Sequence, residues 1–135
     1  MRLMDVNFTG TWIADIARSK FRGPTPKSTA MRIRHAEPEL YAEVETTKAD
    51  GATDRATFTC RTTGEADQSR FNSQPVRGNA RWEGRELLIE TWMQIGPREL
   101  HFRDFWWLSP DGQTLFMEHR EDDLAGQFGV LNRVK

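Results

Sequence analysis

Cysteine is almost missing from this chain: Cys60 stands alone in 135 residues. An intrachain disulfide is therefore excluded, and with it the small secreted scaffold that uses cross-links in place of a core. Cys60 reads as a small apolar strand residue rather than a reactive thiol. Net charge is equally scarce. The 19 Lys and Arg against 20 Asp and Glu leave −1, with a pI near 6.3. Carboxylates interleave with the arginines, so neither nucleic acid nor an anionic membrane is an expected partner. No run approaches the ~20 apolar residues of a membrane-spanning helix. The opening Met1-Arg2-Leu3-Met4-Asp5-Val6-Asn7 lacks the apolar stretch of about 7–15 residues that a signal peptide needs. A cytoplasmic location is the expectation.

Signatures of catalysis are missing as well. There is no Gly-x-Ser-x-Gly, no phosphate-cradling glycine loop and no zinc-binding Cys/His spacing, so no catalytic residue is assigned. His35, His101 and His119 fall on three different strand-like runs. His35 and His119 follow apolar alternation and point inward, but no His-x-His or helical His-x-x-x-His pair supports a metal or haem site. No metal and no cofactor is expected.

What the chain does have is alternation. In Ala30-Met31-Arg32-Ile33-Arg34-His35 the odd positions are apolar or aromatic and arginine takes the even positions 32 and 34, the pattern of a half-buried strand. Ala56, Phe58 and Cys60 alternate with Arg55, Thr57, Thr59 and Arg61. Leu87, Ile89, Thr91, Met93 and Ile95 share one parity, and Leu88, Glu90, Trp92 and Gln94 the other. Leu115, Met117 and His119 alternate with Phe116, Glu118 and Arg120. Helical spacing is sustained nowhere beyond two turns.

Turn dipeptides punctuate the runs: Asp50-Gly51, Asp111-Gly112, and breaks at Glu83-Gly84-Arg85 and Ile95-Gly96-Pro97. Strands are predicted at about 10–16, 28–36, 39–48, 54–63, 68–73, 76–83, 86–95, 98–108, 114–120 and 125–134. Gaps this short leave no room for the helical crossovers of a parallel sheet. One segment differs. Residues 15–21 are expected to make a short helical turn before the Gly23-Pro24-Thr25-Pro26 corner, which lets Phe21 plug a barrel opening; an ordinary surface loop is the alternative.

The fold expected is all-β: a closed antiparallel up-and-down barrel of about 8–10 strands. Closure removes the unpaired edges an open sheet would expose, and ten strands exceed what side chains readily fill. One domain covers 1–135, with 1–7 as an N-terminal lead-in. The two ends bear on closure. Gly10-Thr11-Trp12 opens the first run and Arg133 sits in the last. A guanidinium stacked on the indole would lid the barrel floor where the first and last strands meet.

Gly10-Thr11-Trp12, the meander and Arg133 together resemble the calycin superfamily of lipocalins and fatty-acid-binding proteins. In lipocalins, a Gly-x-Trp on the first strand packs beneath an arginine from near the end of the barrel. More closely, the chain is similar to uncharacterised bacterial lipocalin-like proteins. That likeness is carried by Arg18-Ser19-Lys20-Phe21, Leu108-Ser109-Pro110-Asp111-Gly112-Gln113-Thr114-Leu115 and Val130-Leu131-Asn132-Arg133. The Arg-x-Tyr with which fatty-acid-binding proteins hold a carboxylate is absent from Asn132-Arg133-Val134-Lys135. The only tyrosine is Tyr41. The disulfides and signal sequence frequent in secreted lipocalins are absent too.

The most unusual local text is Phe102-Arg103-Asp104-Phe105-Trp106-Trp107. Both of its parities are aromatic, so one set can line a cavity while the other meets the outer surface or a second subunit. Asp104 shares a parity with Leu100 and Phe102, where a carboxylate needs a partner such as an arginine. Glu118-His119-Arg120-Glu121-Asp122-Asp123 is the one charge run and reads as a solvated turn at a barrel mouth.

The expected activity is binding of a small, largely apolar molecule inside the barrel. The expected wall is Met31, Ile33, Phe58, Trp92, Phe102, Trp106, Met117 and Phe128, with a polar anchor such as Arg34, Glu90 or His119. Two rivals are an enzyme pairing His119 with Glu118 or Glu90, and a filled barrel that forms a homodimer through its aromatic face.

Overall fold

A computed structural model describes residues 6–122 and 126–135. The first five residues of the expected lead-in lie outside the described residues, as do residues 123–125, which hold part of the expected mouth turn and the expected start of the last strand.

Ten strands follow one another: β1 Gly10–Ala14, β2 Ser28–Ala36, β3 Glu39–Thr47, β4 Thr53–Arg61, β5 Ser69–Phe71, β6 Gln74–Glu83, β7 Glu86–Ile95, β8 Arg98–Leu108, β9 Thr114–Glu121 and β10 Gln127–Arg133. Each pairs antiparallel with the next, and β1 also pairs with β10, so the meander closes into a barrel. Every strand lies within two residues of the run predicted from alternation. The turn dipeptides explain that accuracy. At Asp50-Gly51, Gly51 takes φ +91° and donates its N–H to Lys48 O at 2.9 Å. At Asp111-Gly112, Asp111 Oδ1 accepts from Ser109 Oγ at 2.7 Å and from Gln113 N at 3.0 Å.

After β1 the expected helical turn is a single hydrogen-bonded one, Ser19 N to Asp15 O at 3.1 Å. It goes no further and the described residues contain no helix. Ser19 Oγ binds Asp15 O at 2.8 Å and accepts from Val130 N at 3.0 Å, tying this turn to β10.

At the seam, Trp12 stands opposite Arg133 on one side and Met31 on the other. Trp12 is wholly buried and its Nε1 donates to Phe8 O at 2.9 Å. The Arg133 guanidinium lies 4.2 Å above the indole, and its Nη1 donates to Thr9 O at 2.6 Å. A Cβ on Gly10 would stand 2.5 Å from Arg133 Nη1, at a φ of +152°. A glycine there is what lets the arginine cross the backbone.

The sheet thins at β5, whose three residues give only two paired positions with β4. Around it, the connection from β4 to β5 meets β6 directly through a Thr63–Arg81 bridge, Gly64 N to Ala80 O at 2.8 Å and Asp67 N to Gly78 O at 2.6 Å. Gly78 is the second glycine that cannot be replaced freely. A Cβ on it would sit 2.1 Å from Glu90 O, inside the backbone of β7.

Candidate ligand-binding cavity

One end of the barrel is packed shut. Phe8, from the segment before β1, is wholly buried among Trp12, Ile33, Leu40, Leu87, Trp106, Leu115 and Leu131. Its ring stacks on His35 at 5.6 Å and on Trp82 at 5.8 Å, and meets Trp106 edge-on at 5.7 Å. Aromatic pairs at these spacings add to the burial itself. His35 accepts from Phe8 N at Nδ1 (3.1 Å) and donates from Nε2 to Glu37 Oε2 (2.6 Å). Thr62 Oγ1 and Trp82 Nε1 donate to the same carboxylate at 2.7 and 2.8 Å. Burial opposes ionisation of Glu37, but the hydrogen bonds from His35, Thr62 and Trp82 outweigh it and hold its pKa below the ordinary value. This network fixes the floor. Nothing in the sequence pattern marked Glu37, because its partners come from three separate strands or loops.

Above the floor lies a cavity of about 540 Å³, within the usual size of small-molecule sites. Its wall is overwhelmingly apolar and includes three methionines, Met31, Met93 and Met117, side chains that adapt to irregular shapes. Phe21 reaches the wall from the turn after β1.

Of the residues anticipated from sequence, Met31, Phe58, Phe102, Trp106, Met117 and His119 line this cavity together. Ile33 belongs to the closed floor beneath it. Four others do not reach it. Glu90 and Trp92 sit on the parity of β7 opposite to the cavity-lining Ile89, Thr91 and Met93, and so face outward. Glu90 is held there by Arg81 Nη1 at 2.8 Å and by His101 Nε2 at 2.8 Å. Burial opposes its ionisation, yet the Arg81 and His101 hydrogen bonds keep its pKa below the ordinary value. Trp92 stacks flat on His101 at 4.5 Å, with Arg77 5.0 Å away over the ring. Phe128 also faces outward, stacked with Phe116 at 6.1 Å and beside Trp107. In β10 the inward positions are Gln127, Gly129 and Leu131. Polar and glycine residues inside, with aromatics outside, reverse the usual signal. Arg34 lies over the Tyr41 ring at 4.8 Å and does not line the cavity.

The charged pairing also differs from expectation. Asp104 does line the cavity, but its partner is His119 and not an arginine: Oδ1 and Nδ1 are 2.7 Å apart. Glu118, expected as a partner of His119, is on the outward parity and bonds Arg120. The three histidines stand in three places: His35 in the floor, His101 on the outer face and His119 in the cavity. Sequence reasoning missed Thr29, Val44 and Met93, which parity alone would have placed on the wall, and Gln127 and Gly129, which it would not.

No family model matches this chain, and neither does any curated protein. The shape and chemistry of the cavity carry the functional argument.

Proposed function

We propose that this protein is a calycin-like barrel that binds a small, largely apolar molecule in its cavity. The observation that carries this reading is the chamber itself: about 540 Å³, walled by methionine, phenylalanine and tryptophan above a floor of packed aromatics. Ligand affinity would come from removing apolar surface from water, at roughly 25 cal/mol per Å². The single closed meander, with an arginine stacked on a tryptophan at its seam, supports the calycin assignment.

The test is titration with the dye 1-anilinonaphthalene-8-sulfonate, read by its fluorescence. Saturable one-to-one binding is expected. Ala56 lies on the cavity wall, so Ala56→Trp should fill the chamber and weaken the dye about tenfold or more while the melting temperature is kept. Dye binding unchanged by a folded Ala56→Trp protein would place the dye elsewhere and remove the reading. Native mass spectrometry of protein purified from cells would then identify any bound compound.

A further inference from the structure

One pair in the cavity has a chemistry that apolar burial does not use. Along β8 and β9 the inward residues form a ladder: Leu108 opposite Leu115, Trp106 opposite Met117, Asp104 opposite His119, Phe102 opposite Glu121. Leu115 and Trp106 are buried in the floor, whereas Glu121 pairs with Arg22. Asp104 and His119 therefore stand midway, one rung above Trp106 and one below the Phe102–Glu121 rung.

An ionised carboxylate only accepts hydrogen bonds, so the proton between Asp104 Oδ1 and His119 Nδ1 belongs to the imidazole. Phe102 stacks on the ring at 5.4 Å and fixes its plane. The ring is thus held by two contacts, and among the described residues Nε2 has no hydrogen-bond partner. Two other polar atoms on the wall are already engaged. Ser19 Oγ is bound to Asp15 and Val130, and Gln127 Oε1 accepts from Arg22 N at 3.3 Å.

The charged groups that bear on His119 are Asp104 and Glu121, which favour the imidazolium, and Arg22, which opposes it. Nε2 accepts a hydrogen bond when the ring is neutral and donates one when it is charged. A hydroxyl satisfies both states. A ketone satisfies only the charged ring. Trp106 and Met117 flank the pair on one side and Phe102 on the other, so the polar atom of a ligand would meet Nε2 below the rim, with its apolar skeleton against these side chains. A long amphiphile with its polar head at the rim does not fit that placement.

The geometry points to a specific class of ligand: a compact apolar molecule with one hydroxyl, bound through that hydroxyl to His119 Nε2. Asp104 is a positioning residue that sets the tautomer. The inference rests on the cavity-binding reading above.

The test compares 2-naphthol, naphthalene and 2-acetylnaphthalene on the full chain, by calorimetry or tryptophan quenching, in wild type and His119→Leu. At about pH 8.5, above the ordinary imidazole range, the preference for 2-naphthol over naphthalene should be about tenfold greater in wild type than in His119→Leu. In wild type, 2-acetylnaphthalene should bind more tightly as the pH falls through the His119 pKa, while naphthalene stays level. If both naphthol and naphthalene bind but their ratio is the same in the variant, the anchor is overturned and the cavity reading stands. If neither binds up to its solubility, both are overturned. Should His119→Leu fail to fold, the wild-type ketone profile decides, and a flat profile overturns the anchor.

Discussion

Cys60 and His119 show how far one side chain's surroundings set its chemistry. Burial, reinforced by the nearby Glu37 and Glu39 carboxylates, pushes the Cys60 thiol up to about 12. Thiolate is the reactive form, so native protein at mild alkaline pH should not react with a disulfide reagent such as dithionitrobenzoate. Unfolded protein should release one equivalent of chromophore. Fast reaction in the native state would contradict the burial. His119 is also shifted upward, but there the charged form is the one favoured. The Asp104 hydrogen bond, working against burial, raises its pKa above the ordinary 6.5. A raised folded pKa means that the pair's stabilisation is fully present below the unfolded value and is lost as the pH rises through the folded one. Proton NMR titration of the His119 ring should give a midpoint above 6.5, and Asp104→Asn should bring it down. An unchanged midpoint would show that Asp104 is not the cause. Sequence alone marked both members of this pair as inward-facing, but not as each other's partner. Their meeting depends on the register between β8 and β9, which neither strand encodes by itself.

At the scale of strands, the decisive residue is Gly78. Its Cβ position is occupied by Glu90 O of β7, so even alanine must push the two strands apart. Gly78→Ala is expected to cost at least the upper end of the roughly 1–3 kcal/mol typical of overpacking. Denaturant unfolding would measure it, and amide exchange should quicken in the β6–β7 hairpin first. A neutral substitution would mean that the hairpin has slack the close approach denies. Strands were the most legible level of this chain, because alternation and glycine turns mark their ends locally. Their facing was legible only where one parity is clearly apolar, as in β2 and β4. In β8 both parities are aromatic, and in β10 the outward set is the more apolar one. Outer-face stacking of Trp107, Phe116 and Phe128 accounts for that reversal. Trp92 faces outward for a similar reason: a flat stack on His101 covers a large aromatic without burying it inside.

For the whole molecule, the barrel stands on its seam. Trp12→Ala removes a fully buried indole and takes the support from beneath Arg133. A loss of about 3–5 kcal/mol is expected, the range for deleting a core aromatic, and the denaturant midpoint reports it directly. A midpoint equal to wild type would sink the closure role. Closure was legible because two short signals, one at each end, had a shared physical purpose. The contents of the barrel were less so, since a cavity is assembled from many strands and no local pattern records its volume.

The seam has a consequence in time as well. Nine of the barrel's ten pairings join neighbours in the chain and can form as local hairpins, but the tenth waits for residues far apart. Arg133 reaches Thr9 across 124 positions, close to the largest separation this chain allows. High contact order slows folding, and here nearly all of that distance is concentrated in a single step. A nascent chain can assemble every hairpin and still present β1 and β10 as bare edges, with Trp12 uncovered between them. Edges of that kind recruit strands from other molecules. The interval before the last strand arrives is therefore when this protein most needs to be alone.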